Sequence, residues 1–297
     1  MKFGSVLNPE LIDFTFPNDH KDTKRVLNAV KDDNLPKIYV GCAKWNRADL
    51  KGFYPKGTKD ELVYYSSQFN SIEMNATFYR IFPAEQFVKW YDKTPTNFKF
   101  FPKLNQEISH WKRLQETEAV VEHYLYNASN LKEKLGTVFL QMHTNFAPKD
   151  FDRVVIFIEK WPKQIPLTVE FRHTDWFNDV SVANELYELL EANNVSNTIV
   201  DTAGRRDIMH MRLTNATAFV RYVGANHESD YTRLDDWVLR LKEWKEQGVK
   251  EIDFFIHQNI EVESPLLSAY FIKKLNTELG YNLKIPNDNS NEQQTLF

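Results

Sequence analysis

From residue 37 onward, short runs of β-branched and aromatic residues alternate with stretches in which apolar positions recur at helical spacing. Such alternation predicts repeated βα units around a parallel sheet. The runs place strands at 38–40, 71–74, 98–101, 138–140, 167–169, 198–200, 218–220 and 253–256. Between them lie helix-start signals: Thr58 with Glu61 three residues on reads as a capping box, and Ser264 before Pro265 as a cap and first-turn proline. Pro83, Asp150 and Asp235 are expected to open three further helices. Ahead of residue 37 no strand pattern occurs, and "HKDTKRVLNAVKDDN" supplies one helix for the outside of the fold.

Eight βα units without a long linker or a break in composition point to one closed (β/α)8 TIM-type barrel over residues 37–280, preceded by an N-terminal extension (1–36) and followed by a flexible C-terminal tail (281–297). An open doubly wound sheet is the alternative. It fits less well, because the first strand leads into "YVGCAKWN", with Gly41 alone where a phosphate-binding turn needs several glycines. The chain of 297 residues, 42% hydrophobic and 14% aromatic, can bury a sizeable core. Its net charge of -4 gives no global attraction to nucleic acid or anionic membrane, so any such binding needs a local basic patch. The single cysteine, Cys42, excludes an intrachain disulfide. With no leader pattern and no apolar run near the roughly 20 residues of a membrane span, a cytoplasmic protein with no membrane partner is expected.

Chemistry in such a barrel gathers at the carboxyl ends of the strands. Here those ends carry Trp45 after the first strand, Glu73, Asn75 and Tyr79 at the second, and Lys103 with His110 at the third. Gln141 follows the fourth, Glu170, Arg172, His173 and Trp176 the fifth, and Asp201, Arg221 and Asn259 the last three. Each alone has an ordinary explanation as a cap, a surface ion pair or core. Together they form an expected pocket, since unpaired charges aimed into a barrel mouth cost several kcal/mol unless a partner, water or ligand meets them. Glu73, Glu170, His173 and Lys103 are the candidate catalytic groups, and the others are candidate substrate contacts. Two carboxylates suit a hydrolase acid and base, although strands two and five lie nearly across a barrel from each other. Arg172, Arg221 and Lys103 suit an anion such as phosphate, or else pair with Glu73, Glu170 and Asp201. A divalent metal among His143, His173, His257, Glu170 and Asp201 is the less favoured alternative, because no diagnostic spacing links them. Cys42 as a nucleophile is weaker still. The cofactor is therefore left open.

The segments "GCAKW", "FYP", "IEMNATFYR", "ISHWKRL", "VEFRHTDW" and "FVRYVG", in this order, resemble the YecE-like family, domain of unknown function 72. The resemblance spans about residues 37–275 and implies a (β/α)8 barrel with pocket residues Glu73, Asn75, Tyr79, Lys103, His110, Glu170, Arg172, His173, Trp176 and Arg221, without naming an activity. Two departures stand out. "QMHTNF" replaces the family's usual Gln-Leu-Pro-Pro after strand four, and "RYVG" replaces Arg-Leu-His-Gly after strand seven. Finally, "QQTLF" at residues 293–297 looks like a bacterial sliding-clamp-binding peptide, with Gln293 for the groove rim and Leu296 and Phe297 for its apolar pocket. The expected protein is thus hydrolase-like and binds an anionic small molecule or nucleic acid, with a replication or repair link through the clamp. A carbohydrate hydrolase or isomerase, or a non-catalytic binding barrel, is the alternative.

Overall fold

The computed structural model describes residues 4–287. Its strands are β1 (Lys37–Cys42), β2 (Ser71–Met74), β3 (Lys99–Pro102), β4 (Val138–Gln141), β5 (Leu167–Glu170), β6 (Ser196–Asn197), β7 (Ile199–Thr202), β8 (Thr217–Gly224) and β9 (Glu251–Gln258). All pairings are parallel, in three sheets of order β1-β9-β8-β7, β2-β3 and β4-β5-β6. Each expected strand position therefore holds a strand, with bounds within two residues except that β8 runs four residues further. β6 and β7 are two halves of one extended run, the first paired with β5 and the second with β8. Between β3 and β4, the Leu104 amide donates to the Phe139 carbonyl and Gly136 to Phe100, both at 2.8 Å. β1 and β2 meet through Asn70, which accepts from the Val40 amide and donates to the Ile38 carbonyl. At Gly41 the approach is close enough that a Cβ would lie 2.3 Å from the Ser71 carbonyl oxygen, so only glycine fits.

The helices are α1 (Lys21–Asn28), α2 (Glu61–Gln68), α3 (Ala76–Tyr79), α4 (Ala84–Lys93), α5 (Glu118–Ala128), α6 (Phe151–Lys160), α7 (Asp175–Asn178), α8 (Val180–Ala192), α9 (Ser229–Gln247) and α10 (Ser264–Leu279). Their buried residues, such as Leu234, Trp237, Val238 and Leu241 on α9, cover the outer face of the strands. Among the described residues no helix is long and apolar enough to cross a membrane.

Several start signals shift. Asp60, not Thr58, caps α2, accepting from the Leu62 and Val63 amides, while Thr58 bonds to Pro55. Asp235 lies inside α9, which starts six residues earlier because Asp230 accepts from the Ala225 and His227 amides ahead of it. Pro83 and Asp150 stand at the N-caps of α4 and α6, and Ser264 opens α10 without acting as its side-chain cap.

The N-terminal segment is laid onto the strands. Leu27 is fully buried, Thr23 donates to the Met211 carbonyl, and Arg206 donates to the carbonyls of Phe14 and Thr15. The first residues of the expected tail are attached to the fold. Tyr281 is buried, Leu283 and Ile285 pack on the core, and Asn287 bonds to Gln68, Tyr64 and Phe53. Gln293, Leu296 and Phe297 lie outside the described residues.

Candidate functional site

Along a strand, successive side chains point to opposite faces. On β8, Phe219 and Arg221 point one way, while Tyr222 turns to α9 and donates to the Asp230 carbonyl. On β9, Phe255 and His257 share the first face, while Phe254 packs on Phe271 of α10. Phe101, Phe139, Phe219 and Phe255, drawn from all three sheets, meet on that face at centroid distances of 4.8 to 6.1 Å. They form a phenylalanine floor.

Directly beyond the floor, toward the strand carboxyl ends, sits an ionic cluster. Arg221 is its hub. Its guanidinium donates to both oxygens of Glu73 at 2.8 and 2.9 Å and to Glu170 at 2.8 Å, with its carbon 4.7 Å from the centre of the Phe139 ring. Glu73 also accepts from Asn75 at 2.8 Å and lies 3.2 Å from His257 Nε2. Glu170 accepts from Gln141 at 2.9 Å and from Arg172. Burial alone would raise both carboxyl pKa values, but Arg221 with His257 at Glu73, and Arg172 with Arg221 at Glu170, outweigh it. Glu73 is held well below the usual range and Glu170 at about 2. One arginine thus draws the two carboxylates together, against the expectation that strand positions would keep them apart. Neither is a proton donor near neutral pH, so a hydrolase acid and base pair built from them does not fit.

Lys103 differs. It is buried, and its Nζ makes one hydrogen bond, to Gln141 Oε1 at 2.7 Å, while sitting 4.2 Å from the Phe78 ring centre and 5.5 Å from that of Phe139. No carboxylate among the described residues lies within ion-pair distance of it. Burial, then Arg221 and Arg172, bring its pKa down to about 7. Gln141 joins the two halves of the site, accepting from Lys103 and donating to Glu170.

His110 lies at the rim, 4.9 Å from the Phe78 ring and 5.1 Å from His143, with Ser109 Oγ 2.8 Å from its Nδ1. Burial, then His143, Lys103, Arg172 and Arg113, push its pKa down to about 4. The loop that carries it is strained: residues Glu107–Trp111 form a π-turn, and Arg113, Leu114 and Glu116 follow with positive φ. Such backbone is held where function or packing demands it.

The structure therefore gathers Glu73, Asn75, Lys103, His110, Gln141, Glu170, Arg172 and Arg221, and adds His257, which the sequence reading weighed only as a metal ligand. Its signal was the spacing Phe255, His257, matching Phe219, Arg221 on the neighbouring strand. Other candidates fall elsewhere. Asp201 is paired in register with Tyr222, so it faces the helices, where Arg206, Arg233 and Trp237 bind it. Trp176 is fully buried, donates to the Phe146 carbonyl and stacks on that ring, so it is core. His173 Nδ1 accepts from the Asp175 amide at the start of α7 instead of reaching the cluster. Trp45 packs edge-on against Trp90, and Tyr79, 72% exposed, touches Phe78 from outside. Asn259 bonds through its amide to the Gly224 carbonyl in the loop after β9. Cys42 is buried beside Ser268, and burial lifts its thiol to about 12, which leaves no nucleophile there. Among the described residues no three His, Cys, Asp or Glu side chains converge to hold a metal ion.

Beneath the floor lies a further buried carboxyl group, Asp253. Thr137 donates to one of its oxygens and the other has no partner. Burial, then nearby Glu251, raise its pKa well above the usual range.

The profile of a family described as "Protein of unknown function DUF72" matches residues 39–291. The chain is 25% identical to UPF0759 protein YecE of Escherichia coli K12 over 285 residues, covering 88% of this chain and all of that one. It is 26% identical to UPF0759 protein YunF of Bacillus subtilis over 247 residues, covering 71% and 85%. Two solved DUF72 family proteins share the fold. One, from Enterococcus faecalis, has a TM-score of 0.66 at 20% identity, covering 81% of this chain and 98% of its own. The other, from Thermotoga maritima, has a TM-score of 0.65 at 25% identity, covering 81% and 99%.

Proposed function

The chain belongs to the DUF72 family, and from that premise and the geometry of its ionic cluster we propose that it is an enzyme acting on a small anionic substrate, phosphate- or carboxylate-bearing, at the carboxyl ends of its strands. The observation that carries this reading is charge balance: two carboxylates face Arg172, Arg221 and Lys103, and among the described residues Lys103 has no acid of its own. An anion beside Lys103 and Arg172, whose side chain is 13% exposed, would complete the balance and draw a proton onto the lysine. A lysine that titrates near neutral pH suits proton transfer. The three sheets form one closed (β/α)8 barrel in this reading, supported by the phenylalanines that all three contribute to one face and by the links through β6–β7, Asn70 and Leu104. Residues 37–280 are then the barrel and 1–36 a packed extension. Calorimetric titration of the full chain with sulfate, phosphate and pyruvate tests the site. The reading predicts binding of at least one of them that Lys103→Met and Arg172→Met each weaken, and heats indistinguishable from buffer for all three would refute it.

A second reading concerns partners. The family match stops at residue 291, just ahead of the peptide of residues 293–297, which keeps clamp recruitment a separate proposal. Binding of the full chain to a purified bacterial sliding clamp, lost in the double variant Leu296→Ala, Phe297→Ala, is the expected result. Binding unaffected by that change removes the proposal.

A further inference from the structure

Among the described residues two lysines are buried, and the contrast between them is informative. Lys134 donates to the Tyr91 and Thr94 carbonyls at 2.6 Å each and to Thr94 Oγ1 at 3.3 Å, so all three of its protons have oxygen acceptors. Lys103 has one acceptor, Gln141 Oε1, whose orientation is set because the same amide donates to Glu170. Its Nζ also sits beside the faces of Phe78 and Phe139, which offer no lone pair. A buried amine with one side-chain acceptor, aromatic faces beside it and two arginines disfavouring its charge is suited to act as a nucleophilic lysine.

We infer that Lys103 forms a covalent imine with an aldehyde or ketone carried by a small anion, such as a 2-oxo acid or a keto phosphate. The inference rests on the anion-site reading above and names the substrate's reactive group. In the step, the Nζ lone pair attacks the carbonyl carbon and the carbonyl oxygen takes a proton to give a carbinolamine. That hydroxyl then leaves as water, so both amine protons depart on it, and a C=N bond forms. No oxidant or reductant is consumed, and water reverses the reaction. Arg172 beside Glu170, with His110 at the rim, would meet the substrate's charged end.

Support also comes from the lysine's titration near 7, which leaves about half of Lys103 as free amine at neutral pH. An exposed lysine of pKa about 10.4 has roughly a thousandfold less. The experiment is reductive trapping of the full chain with borohydride in the presence of pyruvate, dihydroxyacetone phosphate or neutral acetone, read by peptide mass mapping. The expected result is a reduced adduct on Lys103, stronger with an anionic carbonyl than with acetone, reaching its plateau just above pH 7 and absent from Lys103→Arg, whose fold is checked by circular dichroism. The pyruvate and dihydroxyacetone phosphate arms separate carboxylate from phosphate recognition. Adducts spread evenly over exposed lysines, or unchanged labelling in Lys103→Arg, overturn the inference. If the anion titration succeeds and no Lys103 adduct forms, the imine falls while the anion site stands; if no anion binds, both fall.

Discussion

Two buried ion clusters stand back to back across the strands. The outer one surrounds Asp201, which receives Arg206, Arg233 and the indole of Trp237, while Asp230 receives Arg233, Gln258 and two backbone amides. Its acids have several donors each, and it fastens α9 and the N-terminal segment to the strands. The inner cluster contains the same kinds of groups, yet one cation, Lys103, is left with an amide and two aromatic rings. A group saturated with partners holds a structure together, whereas one left short of them can respond to a ligand.

Breaking each hub tests this contrast most strongly. Arg221→Met leaves Glu73 and Glu170 without their shared partner, at an expected cost of about 3–5 kcal/mol. Arg233→Met should cost less, because Asp201 keeps Arg206 and Trp237. Urea unfolding of both variants would reverse the assignment of hubs if Arg233→Met proved the worse.

The next effect is on pH. Protonated Lys103 adds to the hold on a bare anion, so sulfate affinity should weaken above pH 7, by up to about tenfold per unit. Lys103→Met should weaken sulfate binding and flatten this profile. The same lysine makes the folded state hold fewer protons than the unfolded chain between about pH 7 and pH 10, so stability should rise with pH across that window and lose the rise in Lys103→Met. Outside the cluster, Asp253 has the opposite sign. Its raised folded pKa makes the folded state hold more protons, so its contribution is complete below the unfolded pKa near 4 and is lost as pH rises through the folded value. Asp253→Asn should flatten that loss, seen as urea midpoints that change less with pH than in the parent protein. Smallest of all, His173→Ala should alter sulfate affinity less than about twofold, the ordinary size of a change remote from a site.

Much of the fold was legible from sequence because strand runs such as "YVGC" and "FFI" are apolar on both faces and bounded by helical periods. Which face a polar residue takes was harder to read. Asp201 and Arg221 both close a short apolar run, but β7 and β8 pair Asp201 with Tyr222, and a shift of one residue turns a side chain from one face to the other. Trp176 in "VEFRHTDW" shows a related limit. Spacing places it near the strand end, but the turn into α7 drops the indole onto Phe146. Lys103 could be listed as a cation from sequence, but its shortage of partners depends on Phe78 of α3 and on Phe139 and Gln141 of β4, two segments remote from it in the chain.

The phenylalanine floor also sets direction. Four rings in contact stand between Asp253 and the arginine hub, which favours a proton path to Lys103 from the rim beside His110. Any molecule that settled on that rim would therefore act as a stopper, cutting off the lysine's exchange with water for as long as it stayed.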